Sequence, residues 1–185
     1  MQFQLKLIVF AVASAGLIWL SWHSLRGFHK HGFYRFFAFE AIVVLILLNL
    51  DCWFKDPFGT FQVISWVLLI ISCVLAAHGF LLLKKVGKPD SEINDPSRMG
   101  IEKTTRLVTS GAYRYVRHPI YSSALVGIWG IFLKRPTWTG LCLIIFIGFF
   151  LILTAKVEES ENIRVFGDAY RDYMKKTRMF FPYLS

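Results

Sequence analysis

The chain has 185 residues, a length suited to one domain, with 55% hydrophobic and only 18% charged residues and a mean hydropathy of +0.50. A soluble domain carries about a quarter charged residues, so this composition excludes an ordinary water-soluble globule and points to lipid-facing helices. The net charge of +9 does not indicate nucleic acid, because the basic residues flank apolar runs and form no aromatic-interleaved stripe; it suits an anionic lipid surface.

Five apolar segments, at about residues 3–22, 36–50, 61–83, 119–133 and 137–155, predict an all-α integral membrane protein with five transmembrane helices. Roughly 20 helical residues cross the hydrocarbon core. The first, third and fifth segments meet that length. The second contains Glu40 and extends to Phe54 to reach it, while the fourth is short and is expected to tilt or lean on the fifth. Lys134-Arg135-Pro136 joins the last two as a tight helical hairpin. Residues 1–185 read as a single domain: three N-terminal spans over 1–83, then a connection, the C-terminal hairpin and a cytoplasmic tail over 84–185.

Ala13-Ser14-Ala15 resembles a signal-peptide cleavage site, but charge counting favours keeping the first segment as a span. Five spans place seventeen of the 21 Lys and Arg on one side, in the first loop, the 84–118 connection and the tail. The other side holds only Lys6, Lys55, Lys134 and Arg135. By the positive-inside rule the N-terminus lies outside and the long polar blocks face the cytoplasm, in a bacterial inner membrane. Cys52, Cys73 and Cys142 show no CxxC spacing, so neither a disulfide framework nor a metal site is expected.

Chemistry concentrates where the fifth span runs into the tail. Lys156 to Phe166 lacks Pro and Gly, and Gly167 is a natural helix C-cap. Glu158 and Glu159 therefore stand just past the membrane edge, with Glu161 one turn on. Pro119 suits the first turn of the fourth helix and puts Arg117-His118 at the mouth of the same hairpin. Counting residues up each arm sets the Glu pair roughly 9 Å further out than His118. Taken singly, Arg117-His118 suits interfacial anchoring and Glu158-Glu159 a solvated helix end, although carboxylates at a helix C-terminus oppose the macrodipole. Glu40 and His78 are ionisable groups inside apolar runs. They either line a substrate entrance from the second and third helices, or satisfy each other or a neighbouring backbone group. The six tryptophans read as interface or packing residues.

The block Leu107-Val108-Thr109-Ser110-Gly111-Ala112-Tyr113-Arg114-Tyr115-Val116-Arg117-His118-Pro119-Ile120-Tyr121 carries an RHPxY pattern. With Glu158-Glu159, the run Phe166 to Tyr173, Arg178 and Pro182, it resembles the isoprenylcysteine carboxyl methyltransferase family, to which phospholipid N-methyltransferases look more distantly related. The resemblance covers about residues 100–182. It implies an S-adenosyl-L-methionine pocket built by the hairpin, the connection and the tail. Arg117, His118, Pro119 and Tyr121 would shape this pocket, with Gly111 and Tyr113 beside them, and the first two with Tyr121 would be the catalytic set. Glu158 and Glu159 would hold the ribose or amino group of the cofactor. Tyr170, Tyr173 and Arg178 match tail positions that fold over it, with Arg178 toward the acceptor. Asn162 departs from the family pattern, which usually has Leu there.

Methyl transfer from a sulfonium is an in-line displacement that asks the protein for alignment and a dry site. A carboxylate acceptor needs no base; an amine or thiol needs a proton removed, with His118 or a Tyr to assist. The expected acceptor is a small amphipathic or lipid-like molecule of the isoprenylcysteine carboxylate type. Two rival readings are an NADPH-dependent membrane reductase of the sterol type and a non-enzymatic scaffold or transporter. They differ from the first in cofactor affinity.

Overall fold

The structure, a computed structural model, describes residues 3–88 and 104–182. The middle of the 84–118 connection lies outside the described residues. Six α-helices follow one another: α1 (Phe3–Leu25), α2 (His31–Asn49), α3 (Thr60–Lys85), α4 (Pro119–Leu133), α5 (Trp138–Phe166) and α6 (Asp168–Lys176). Among the described residues there is no β-strand. Four helices, α1, α2 with its 3-10 extension to Cys52, α3 and α5, are long and apolar enough to cross a membrane. The fourth predicted span, α4, is a shorter apolar helix of 15 residues, about 22 Å long. The chain is an all-helical integral membrane protein.

The expectation that α4 leans on α5 gives way to a different packing: α4 lies mainly along α3, and α5 along α2. The reason is a row of small residues. A Cβ on Gly130 would fall 2.9 Å from Leu69 Cγ, and one on Gly127 would fall 2.7 Å from Ser72 Oγ. The Ser65 hydroxyl donates to the Gly130 carbonyl at 2.6 Å, and Ser72 donates to the Ser123 carbonyl at 2.8 Å. Within lipid, close backbone approach and hydrogen bonds between helices hold such pairs where the hydrophobic effect does not. The buried core then forms among α2 (Ala38, Ala41, Leu45), α4 (Ile128, Ile131) and α5 (Ile144, Ile147, Leu151).

Two local features bring the tail back over the bundle. Gly167, with φ +58°, ends α5 in a conformation open to glycine, and its N–H donates to Ile163 O at 2.9 Å. After α6, residue 178 pairs with Val116 in an isolated parallel bridge. Arg117 N donates to Arg178 O at 2.7 Å, His118 N to Met179 O at 3.1 Å and Arg178 N to Tyr115 O at 3.1 Å. The backbone just before α4 is thereby fastened to the backbone just after α6.

Candidate functional site

The closure of the tail surrounds a cavity, open on one side, at the end of the bundle where α4 begins. Its polar lining comes from Thr104, Tyr113, Arg117, His118, Tyr121, Glu158, Asn162, Tyr170 and Tyr173. Its apolar wall comes from Leu83 of α3, Leu107 and Val108 of the connection, Ile120 of α4 and Phe166 of α5. Glu158, Asn162 and Phe166 recur every four residues, so a single face of α5 supplies one side of the hollow.

Each polar side chain has a traceable anchor. Arg117 Nε donates to Glu159 Oε1 at 2.5 Å, and its Nη1 donates to the carbonyls of Met174, at 3.3 Å, and of Thr177. The guanidinium therefore ties α5 to the end of α6. The Tyr121 hydroxyl donates to Glu158 Oε2 at 2.7 Å. His118 is 5% exposed and stacks on the Tyr121 ring at 5.5 Å between centroids. Its Nδ1 lies 3.8 Å from Glu158 Oε2, and its Nε2 lies 3.4 Å from Glu159 Oε1, off the geometry of a hydrogen bond. The His118 ring and both carboxylates thus meet where the start of α4 faces α5.

The tail tyrosines close the hollow. Tyr173 OH donates to Tyr113 O at 2.6 Å, and the Tyr170 and Tyr173 rings lie 5.7 Å apart. Burial pushes both phenols well above the ordinary value near 10. For Tyr170 a hydrogen bond from Asn162 opposes that shift in part, and the charges of Glu158 and Glu159 add to it. Both hydroxyls thus stay protonated.

Of the residues singled out from sequence, Tyr113, Arg117, His118, Tyr121, Glu158, Tyr170 and Tyr173 line the cavity, and Glu159 backs it through Arg117. Gly111 and His78 do not line it. Gly111 has φ +59°, and a Cβ there would fall 2.6 Å from Leu82 Cδ1 and 2.8 Å from His78 Nε2. His78 Nε2 accepts from Ala112 N at 3.3 Å, pinning the 3-10 turn (Gly111–Arg114) that carries Tyr113. Pro119 opens α4 without facing the hollow. Glu40 is elsewhere: it accepts from Ser14 Oγ of α1 at 2.8 Å and does not pair with His78. The Arg178 side chain is exposed, and that residue acts through its backbone. The third acid of α5, Glu161, turns to α2 and accepts from His31 Nδ1 at 2.7 Å. Of the apolar wall, Leu107, Val108, Ile120 and Phe166 lie within the motif runs quoted from sequence, though with no role given to them, and Leu83 of α3 lies outside those runs.

Residues 61–169 match the phospholipid methyltransferase family, more than half of the chain. Among curated proteins the chain is similar to a methanethiol S-methyltransferase of Mycobacterium tuberculosis, 27% identical over 128 residues, covering 65% of this chain and 46% of that one. It is also similar to a methanethiol S-methyltransferase of Pseudomonas deceptionensis, 25% identical over 121 residues, covering 65% and 43%. The nickel-cobalt-cadmium resistance protein NccN of Alcaligenes xylosoxydans xylosoxydans is 36% identical over 85 residues, covering 45% and 39%. The chain thus spans less than half the length of these relatives. No solved structure matches it.

Proposed function

The chain belongs to the phospholipid methyltransferase family, and we propose that it transfers a methyl group from S-adenosyl-L-methionine to a small amphipathic or lipid-like acceptor. The observation that carries this reading is the single cavity shared by Arg117, His118 and Tyr121 with Glu158. The residues present fit the cofactor. Glu158 keeps acceptor capacity beyond its bond to Tyr121, enough for a ribose hydroxyl or an ammonium group. The rings of Tyr113, Tyr121, Tyr170 and Tyr173 give a sulfonium cation aromatic faces.

Bound there, the cofactor supplies an activated methyl group. The protein's own share is positioning and drying. Arg117 holds Glu159 and the end of α6 together, so the tail stays over the hollow. Tyr121 orients Glu158, and Tyr173 fixes Tyr113. Leu83, Leu107 and Ile120 give an apolar acceptor a wall to slide along. The excess of Lys and Arg on this side supports a cytoplasmic site in a bacterial inner membrane, with the N-terminus outside.

A labelled-methyl assay on lipid, peptide and thiol extracts tests the proposal. Label should enter one product identifiable by mass, and Glu158→Gln should lower that transfer at least tenfold, about 1.4 kcal/mol. A purified protein that moves no label into any fraction contradicts the proposal.

A further inference from the structure

We infer that His31 and Glu161 are positioning residues for the cavity: bonded to each other, they hold the projecting end of α5 at the rotation that turns Glu158 into the hollow. The inference rests on the methyltransferase reading. It adds two residues, one of them on α2, that act through Glu158 and do not line the cavity themselves.

The end of α5 needs such a hold. Ile144, Ile147, Leu151 and Ala155 bury the apolar side of the helix, but within residues 156–166 only Glu159 is buried. At 3.6 residues per turn each residue advances the helix by about 100°. Seen down the axis, Glu158, Asn162 and Phe166 occupy a sector of about 80°, the one that lines the cavity. Glu159 lies just beyond one edge of that sector, and Glu161 lies about 60° beyond the other. Arg117 ties down the Glu159 edge. His31 ties down the Glu161 edge. Ties on both sides of one sector fix the rotation of the helix, whereas one tie alone lets it roll.

The tie to α2 has a chemical reason. The first N–H groups of a helix lack partners within it, and Lys30 gives α2 no side-chain cap. Glu161 supplies the missing acceptor from another helix. Its Oε1 accepts from His31 N at 3.1 Å, and its Oε2 accepts from His31 Nδ1 at 2.7 Å. A carboxylate placed there also meets the positive end of the α2 dipole. On the far side of the ring, Arg35 Nη1 lies 3.4 Å from His31 Nε2, and an arginine can only donate. Nε2 therefore carries the lone pair, and Nδ1 carries the proton that goes to Glu161. His31 and Arg35 are both buried, so water does not compete for these bonds.

His31 is itself held still. The turn between α1 and α2 closes through Gly27 N to Ser24 O and Lys30 N to Gly27 O, each at 3.2 Å. Ser24 is buried and presses on the first turn of α2, where a Cβ on Gly32 would collide with its Oγ. The chain of contact thus runs from the end of α1, through the start of α2, to the carboxylate beside the cavity-lining sector of α5.

The test is a double-mutant cycle on ligand affinity, read by calorimetry with S-adenosylhomocysteine in detergent. His31→Ala should weaken the ligand at least about fivefold in the wild-type background and less than about twofold in the Glu158→Gln background. A misplaced Glu158 and an absent one lose the same contact, so the two losses do not add. His31→Asn keeps a donor at the place of Nδ1 and should bind within about twofold of wild type. A pair that only added stability would lower the thermal midpoint and leave affinity unchanged, as expected of Lys134→Met. If His31→Ala does not fold, Glu161→Gln decides by the same cycle, since it keeps an acceptor for the α2 backbone and removes only the charge. Equal losses in both backgrounds, no loss in the wild-type background, or a His31→Asn variant as weak as His31→Ala would overturn the positioning role. A wild-type protein that binds no S-adenosylhomocysteine would instead overturn the methyltransferase reading beneath it.

Discussion

At the end of the bundle away from the cavity, the turn between α4 and α5 buries Lys134, only 5% exposed. Its ammonium donates to Gln62 Oε1 at 2.9 Å and lies 3.6 Å above the Trp66 ring and 5.6 Å from the Trp53 ring. The Gln62 amide passes on to the Cys52 carbonyl at 2.8 Å. That charge is engaged by Gln62 and the two indole rings and does not border the cavity. At the cavity end, Arg117, His118 and Glu158 all border a hollow, and the Arg117 guanidinium is engaged by Glu159 and two carbonyls. The lesson is that burial of charge does not by itself mark a functional site in this membrane protein. A buried ionisable group with spare capacity next to empty space does.

The contrast can be broken by substitution, beginning with the largest expected effect. Arg117→Met leaves Glu159 buried without its cation and frees the end of α6. It should cost about 3–5 kcal/mol, seen as a large drop in thermal midpoint in detergent together with loss of S-adenosylhomocysteine binding. A midpoint within about 2 °C of wild type would show that the pair holds nothing. Glu158→Gln should weaken S-adenosylhomocysteine at least tenfold, about 1.4 kcal/mol, with little change in melting. The reverse pattern would make Glu158 a structural group like Lys134.

Smaller effects sharpen the comparison. Tyr173→Phe removes the bond to the Tyr113 carbonyl and should cost about 1 kcal/mol of stability. Burial raises the Tyr170 and Tyr173 phenols above the ordinary value near 10, so the folded state favours their protonated forms. Their contribution is fully present below about pH 10 and is lost as pH rises beyond it. Thermal melts from pH 7 to 11 should show wild type losing stability only at the alkaline end, and Tyr173→Phe losing less there. Lys134→Met is expected to do least at the cavity. It should leave S-adenosylhomocysteine affinity within about twofold while costing about 1–3 kcal/mol of stability, since the buried Gln62 Oε1 loses its donor. A tenfold loss of affinity would mean that the two ends are coupled.

Much of this was readable from the chain. Apolar length located the spans, with α4 matching residues 119–133 and Gly167 ending α5 as a cap. The motif residues around Arg117, at the start of α4, and the pair at 158–159, about two turns before the end of α5, converge beside the same hollow. What was not readable depends on contacts without a local period. The pairing of Val116 with Arg178 joins two irregular stretches far apart in sequence. The seating of α4 on α3 depends on glycines and serines whose partners belong to another helix. Lys134, counted as a loop charge, is buried because Trp53 and Trp66 come from two other segments. Glu40 and His78 looked alike as ionisable groups in apolar runs, yet one meets Ser14 on α1 and the other the backbone N–H of Ala112.

A calorimetric titration of the purified wild-type protein with S-adenosylhomocysteine, and separately with NADPH, addresses the central claim most directly. Saturable binding of the first and no heat from the second is the predicted result. Binding of NADPH, or silence with both ligands, would contradict the account.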